Sequence, residues 1–127
     1  MPWLEFRRVL FRSDVKFKDF IPIPGEKYVV VCGNGEVPDL KIGLAVLKKL
    51  GVNRLLVESP TMVHLFLKNG LMDELFINTS CIYVGGKALS IGQNYKSFES
   101  NYHPHIEILK LYMHSPHFMF TRYRVLK

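Results

Sequence analysis

The sequence predicts an α/β fold: a mostly parallel sheet flanked by helices and closed by a C-terminal antiparallel β-hairpin. Three observations predict it. Short apolar runs, Lys27–Cys32 (KYVVVC) and Arg54–Val57 (RLLV), alternate with helical segments, which is the pattern of buried parallel strands joined by crossover helices. Each helical segment opens on a capping residue and closes on a glycine. The tail carries two alternating runs, His105–Met113 and Phe118–Leu126, around the turn His114-Ser115-Pro116-His117.

Taken in order, Asp14–Glu26 contains IPIPG, whose two prolines oppose regular pairing, so an irregular lead-in is expected. Lys27–Cys32 is a buried strand, broken by Gly33-Asn34-Gly35. Pro38 and Asp39 then open a helix that runs to about Leu50. Asp39 is its N-cap, Lys48 and Lys49 complement the dipole at its far end, and Gly51 supplies the C′ position. Leu40, Leu44 and Leu47 share one face, which Ile42 and Val46 widen. Arg54–Val57 completes a strand–helix–strand crossover and is therefore expected to run parallel to the first strand.

The turn Glu58-Ser59-Pro60 leads into a second helix, from about Thr61 to Asn69, with Ser59 as N-cap, Pro60 at N1 and Gly70 at C′. Met62, Leu65 and Phe66 fall at core spacing. A long strand from about Glu74 to Val84 follows, ended by Gly85-Gly86, and Lys87–Tyr102 reads as a loop.

Length and composition bound the function classes. The 127 residues suit one domain with a real core, 48% are apolar, and 22% are charged. No apolar run reaches the roughly 18–20 residues of a membrane span, so no membrane partner is expected. Cys32 and Cys81 have neither metal-motif spacing nor the density of a disulfide scaffold, which predicts a reducing, cytoplasmic location. The formal charge of +6 falls to +4 once Leu4–Ser13 (LEFRRVLFRS) is set aside. That decapeptide resembles the translated read-through of a sequencing-library adapter. Residues 1–13 are therefore expected to be non-native, and 14–127 to be the C-terminal part of a truncated domain. Different codons at this position, or native sequence there in an independent clone, would remove that expectation.

A turn beyond the carboxyl end of a sheet strand is where α/β proteins place ligands, and the next helix's N–H groups and dipole favour an anion there. Glu58 to Val63 occupy such a turn. The histidine pairs His103/His105 and His114/His117 lie in proline-containing turns without a third ligand in motif spacing, so no metal site is expected. Arg122 and Arg124 alternate with Tyr123 and Val125 on the last strand. Their charge is not clustered along a surface stretch, which favours a solvated strand face over nucleic-acid binding.

The run Leu55–Gly86 (LLVESPTMVHLFLKNGLMDELFINTSCIYVGG) resembles the C-terminal reductase domain of the bifunctional riboflavin-biosynthesis deaminase-reductase, a dihydrofolate reductase-like family. Leu56-Val57-Glu58, Thr61, Gly70-Leu71, Asp73-Glu74-Leu75 and Gly85-Gly86 carry the likeness, together with the preceding DLKIGLAVLKKLGVNRLLVE. It covers about Tyr28 to Gly92, and the hairpin in topology only. The sequence departs from the family pattern where Ser59-Pro60 replaces a glycine pair, in a loop one residue shorter. Proline brings no N–H to that loop.

The resemblance implies a dihydrofolate reductase-like fold lacking its N-terminal half, an NADPH-dependent reductase and a homodimer. The small-molecule substrate would be a pterin, a folate or a ribosylaminopyrimidine. It further implies that Glu58 contacts substrate near the site of hydride transfer, where a carboxylate can orient hydroxyls or assist proton transfer. Ser59, Pro60, Thr61, Met62 and Val63 would hold the cofactor diphosphate, and Gly33, Asn34 and Gly35 would border its adenosine. Beside each stands a plainer account: a strand-end carboxylate facing water, an ordinary capped helix, a tight turn. Ser59-Pro60 also leaves room for a non-catalytic nucleotide-binding or oligomerisation domain.

Overall fold

The computed structural model describes residues 8–12, 27–32, 37–87, 90–92 and 96–127. The chain divides into two units, Met1–Leu55 and Leu56–Lys127. In the first, β1 (Arg8–Arg12) and β2 (Lys27–Val31) pair in parallel, Arg8 opposite Lys27 through Arg12 opposite Val31. β1 lies within the decapeptide Leu4–Ser13.

Helix α1 (Leu40–Lys49) starts and stops where its capping chemistry dictates. The Asp39 carboxylate accepts the N–H groups of Lys41 and Ile42 at 3.0 and 3.2 Å, satisfying two of the helix's unpaired donors. At the far end Gly51, at φ +86°, donates to the Lys48 carbonyl, and Val52 donates to Leu47, the paired bonds of a Schellman stop. Leu40, Gly43 and Leu47 are buried, with Leu44 and Val46 half-buried beside them, whereas Ile42 faces out. Cys32, directly after β2, and Leu47, 1% exposed, form the centre of this unit, and the Asp39 N–H donates to the Cys32 carbonyl at 2.9 Å. Burial, reinforced by the nearby Asp39 carboxylate, pushes the Cys32 thiol above its ordinary range.

In the second unit α2 (Pro60–Lys68) repeats the design. Ser59 is its N-cap, Pro60 sits at N1, and Gly70 at φ +66° closes it, with Gly70 donating to Leu67 and Leu71 to Phe66. Val63, His64 and Phe66 are buried, as is Met72 just beyond the helix. Three antiparallel strands follow, β3 (Glu74–Ser80), β4 (Ile106–Ser115) and β5 (Phe118–Val125), in the spatial order β3-β5-β4. A 3₁₀ turn at Ser100–Tyr102 interrupts the long connection between β3 and β4. The tail hairpin expected from the alternating runs is β4 and β5, turning at Pro116-His117.

These pairings correct the expected fold class. A mostly parallel sheet flanked by helices does not form among the described residues: one two-stranded parallel ladder stands in the first unit and an antiparallel sheet in the second. The failure lies at Arg54–Val57, the expected central strand. It has no ladder partner among the described residues, Leu56 is 66% exposed, and the unit boundary passes between Leu55 and Leu56. So short a run becomes a strand only when a neighbour takes its backbone groups, and among the described residues none does.

β3 is also shorter than the expected Glu74–Val84. Ser80 stands opposite Phe118, the first residue of β5, and the Cys81 N–H donates to the His117 carbonyl in the turn itself. Beyond that point the partner strand has run out, and Ile82, Tyr83 and Val84 project outward, Tyr83 97% exposed.

Candidate functional site

The start of α2 gathers most of the residues singled out from the sequence. Glu58 is exposed in the irregular stretch just before the helix, Ser59 is exposed at the N-cap, Pro60 and Met62 are half-buried, Thr61 is exposed and Val63 is buried. The local sequence forces this arrangement. Pro60 fixes φ for the first helical turn and has no N–H to lose there, while the Ser59 side chain replaces a missing backbone acceptor.

How much of this helix end remains to receive an anion follows from its hydrogen bonds. The Ser59 hydroxyl accepts from the Met62 N–H at 3.4 Å, and the Val63 N–H is bonded to the Ser59 carbonyl at 2.8 Å. Pro60 brings no donor. The Thr61 N–H, its exposed hydroxyl and the Ser59 O–H, whose oxygen only accepts in the cap, are then the donors left over, with the Met62 N–H only loosely held by the long Ser59 contact. That set offers fewer backbone N–H groups than a glycine-rich turn would. Gly33, Asn34 and Gly35, expected beside the adenosine, lie outside the described residues.

Other polar residues take structural positions. Glu74 and Arg122 form a two-pronged pair across β3 and β5, with the Arg122 Nε and a terminal nitrogen donating to the carboxylate at 2.9 and 2.6 Å. The Arg122 hydrogen bond holds the Glu74 carboxyl below its ordinary range, and the same contact raises Arg122. Arg124 pairs with Glu107 at 2.9 Å, and Lys127 with Asp73 at 2.8 Å. Arg122 also lies over the Phe76 ring at 5.8 Å. The basic alternation on the last strand is therefore committed to carboxylates on its neighbours. The sequence shows the alternation but not the register that brings Glu74 and Glu107 beside it.

His64 is buried on α2 with its ring 4.6 Å from that of Phe98, and the His103 Nε2 lies 3.1 Å from the Phe98 carbonyl oxygen. The Phe98 contacts come from the segment read as a structureless loop, where no periodicity signals them. Among the described residues no group of three or more His, Cys, Asp or Glu is placed to hold a metal ion, and no helix is long and apolar enough to cross a membrane.

No family model matches the chain, and no curated protein sequence matches it significantly. Its fold is similar to a crystal structure described as "Putative riboflavin biosynthesis protein" from Shewanella sp. PV-4. The two superpose with a TM-score of 0.73 at 18% identity, over 100% of this chain and 65% of that one. The likeness carries a shared fold, in line with the relationship that Leu55–Gly86 suggested. This chain spans about two-thirds of the length of that protein.

Proposed function

We propose that the chain is part of a reductase of the riboflavin-biosynthesis type, using NADPH and acting on a pterin, a folate or a ribosylaminopyrimidine. The observation that carries the reading is the fold likeness along the whole chain to a protein described as belonging to riboflavin biosynthesis. The arrangement at the start of α2 supports it: an exposed carboxylate, Glu58, is followed at once by a helix end with donors for an anion. NADPH when bound supplies the hydride. Thr61, through its N–H and hydroxyl, would hold a diphosphate oxygen, with the helix dipole behind it. Glu58, ahead of the helix and in water, would orient substrate hydroxyls or pass a proton.

The test is a calorimetric titration of NADPH, with NADH as control, into the wild-type chain and Glu58→Gln, with turnover followed in the longer parent protein. Saturable NADPH binding that survives the substitution, with turnover reduced about 100-fold, is the expected result. A Glu58→Gln protein that turns over normally would remove Glu58 from the chemistry.

The capping bonds also favour a second reading, a nucleotide-binding domain without catalysis. The Ser59 hydroxyl oxygen and the Val63 N–H are engaged in the helix's own bonds, and Pro60 has no N–H to offer. Binding with no turnover of any candidate substrate in the parent protein would select this reading. No binding at millimolar cofactor would reject both.

A further inference from the structure

The last turn of α2, the segment leading into β4 and the end of β5 enclose a cleft of about 520 Å³ within the second unit. Backbone bonds hold its walls in place. The left-handed turn at Gly70 stops α2, with the Gly70 N–H donating to the Leu67 carbonyl. The Val125 N–H donates to the Asp73 carbonyl and the Leu126 N–H to the His105 carbonyl, each at 2.9 Å, which fixes the end of β5 between its neighbours. Val125 is the buried part of the lining, and Leu67 and Pro104 are half-buried. A concave, largely apolar space of this volume has the size of a small-molecule site. It lies at the other end of α2 from Ser59, roughly 13 Å along the helix axis, and is therefore a separate place from the helix start described above.

The polar side chains around the cleft are of one kind. Tyr102, His103, His105 and Lys127 all carry hydrogen-bond donors, and no described residue lining it is acidic. The Lys127 ammonium gives one of its N–H groups to Asp73 at 2.8 Å and keeps the others. The Asp73 side chain is 85% exposed, so water screens that pair and it competes weakly for the ammonium. His103 is already oriented: its Nε2 lies 3.1 Å from the Phe98 carbonyl oxygen, which can only accept, so that nitrogen carries the hydrogen.

These features select among anions. A polyphosphate or a nucleic acid needs several cations, and a single lysine lines the cleft. A bare inorganic anion gains nothing from the apolar wall and meets the negative end of the α2 dipole, since Leu67 and Gly70 border the same space. An acid with a ring-sized apolar body removes that wall from water and carries its charge out to the lysine.

We propose that this cleft binds a small aromatic monocarboxylate. Its ring lies against Val125, Leu67 and Pro104, and its carboxylate accepts from Lys127, with His105 as a further donor. The inference stands on the second unit alone and does not depend on the activity proposed above.

Titration of naphthoate into the isotope-labelled chain, followed through the backbone amide resonances, tests it. The matching alcohol, naphthalenemethanol, and inorganic phosphate are the comparison probes. Saturable, sub-millimolar binding of naphthoate is expected, with shifts gathered at Gly70, Tyr102–His105 and Leu126–Lys127. The alcohol should bind about tenfold more weakly, and Lys127→Gln should weaken naphthoate by a similar factor. Leu126→Glu, which adds a carboxylate at a half-exposed wall position, should abolish binding. Spectra of both variants that are unchanged away from the cleft are the check on folding. No saturation at millimolar naphthoate overturns the proposal. So does an alcohol or a phosphate that binds as well as the acid, wild-type affinity in Lys127→Gln, or shifts centred on Ser59–Val63.

Discussion

Asp39 and Ser59 hold equivalent positions at the starts of α1 and α2, yet they do unequal work. Asp39 accepts two backbone N–H groups at 3.0 and 3.2 Å, and Ser59 accepts one at 3.4 Å. Asp39→Ala should therefore cost about 1–2 kcal/mol of stability and Ser59→Ala about 0.5–1 kcal/mol, as measured by urea unfolding. Equal losses would mean that the long Ser59 contact is as good a cap as the short pair. These caps are also where the sequence was most legible, because each depends on residues within three or four positions of one another. The same locality explains what could not be read from Ser59. The sequence marks it as the N-cap, but only the folded helix shows that its bond to the Met62 N–H is as long as 3.4 Å.

At the scale of elements, the Glu74–Arg122 pair ties β3 to β5 and makes the second unit's sheet sensitive to acid. Arg122 lowers the Glu74 pKa in the folded protein, so as pH falls the unfolded chain binds this proton first. The pair's stabilisation is complete above the unfolded carboxylate value of about 4.3 and disappears as pH drops through the lower folded value. Arg122 stays protonated throughout, since the same contact raises it. Glu74→Gln is expected to flatten this part of the acid limb in urea titrations between about pH 3 and pH 6. An unchanged limb would assign the acid sensitivity to other carboxylates. Both helices and the β4–β5 hairpin were legible as elements, since each carries its own period and stop signals. Pairing was not legible. Arg54–Val57 has the composition of a buried strand, and nothing within it reveals that no neighbour will accept its backbone.

For the whole molecule, that unpaired stretch has a measurable signature. Residues 53–56 are exposed and lie outside regular structure, spanning the point in the sequence where one unit ends and the next begins, whereas Lys48 and Lys49 are held in α1. Limited trypsin digestion should cut after Arg54 before it cuts within α1 or β3–β5. Resistance at Arg54 would restore the paired strand that the sequence suggested. The sheet order β3-β5-β4 has a further consequence, in the time domain. β4 and β5 meet across a turn at Pro116-His117, but β3 reaches β5 only after chain separated by 48 positions, at Glu74 and Arg122, has been brought together. Closing the short turn costs little entropy, and closing the long connection costs more. The hairpin is thus expected to be formed in the rate-limiting step, with β3 docking afterwards. Conservative truncations across β4 and β5 should slow refolding, while truncations at Leu75 or Ile77 of β3 should chiefly speed unfolding. Stopped-flow chevrons would separate the two. If the β3 truncations slow refolding as much as those in the hairpin, the sheet assembles in one concerted event, and the slowest contact in the chain is also its nucleus.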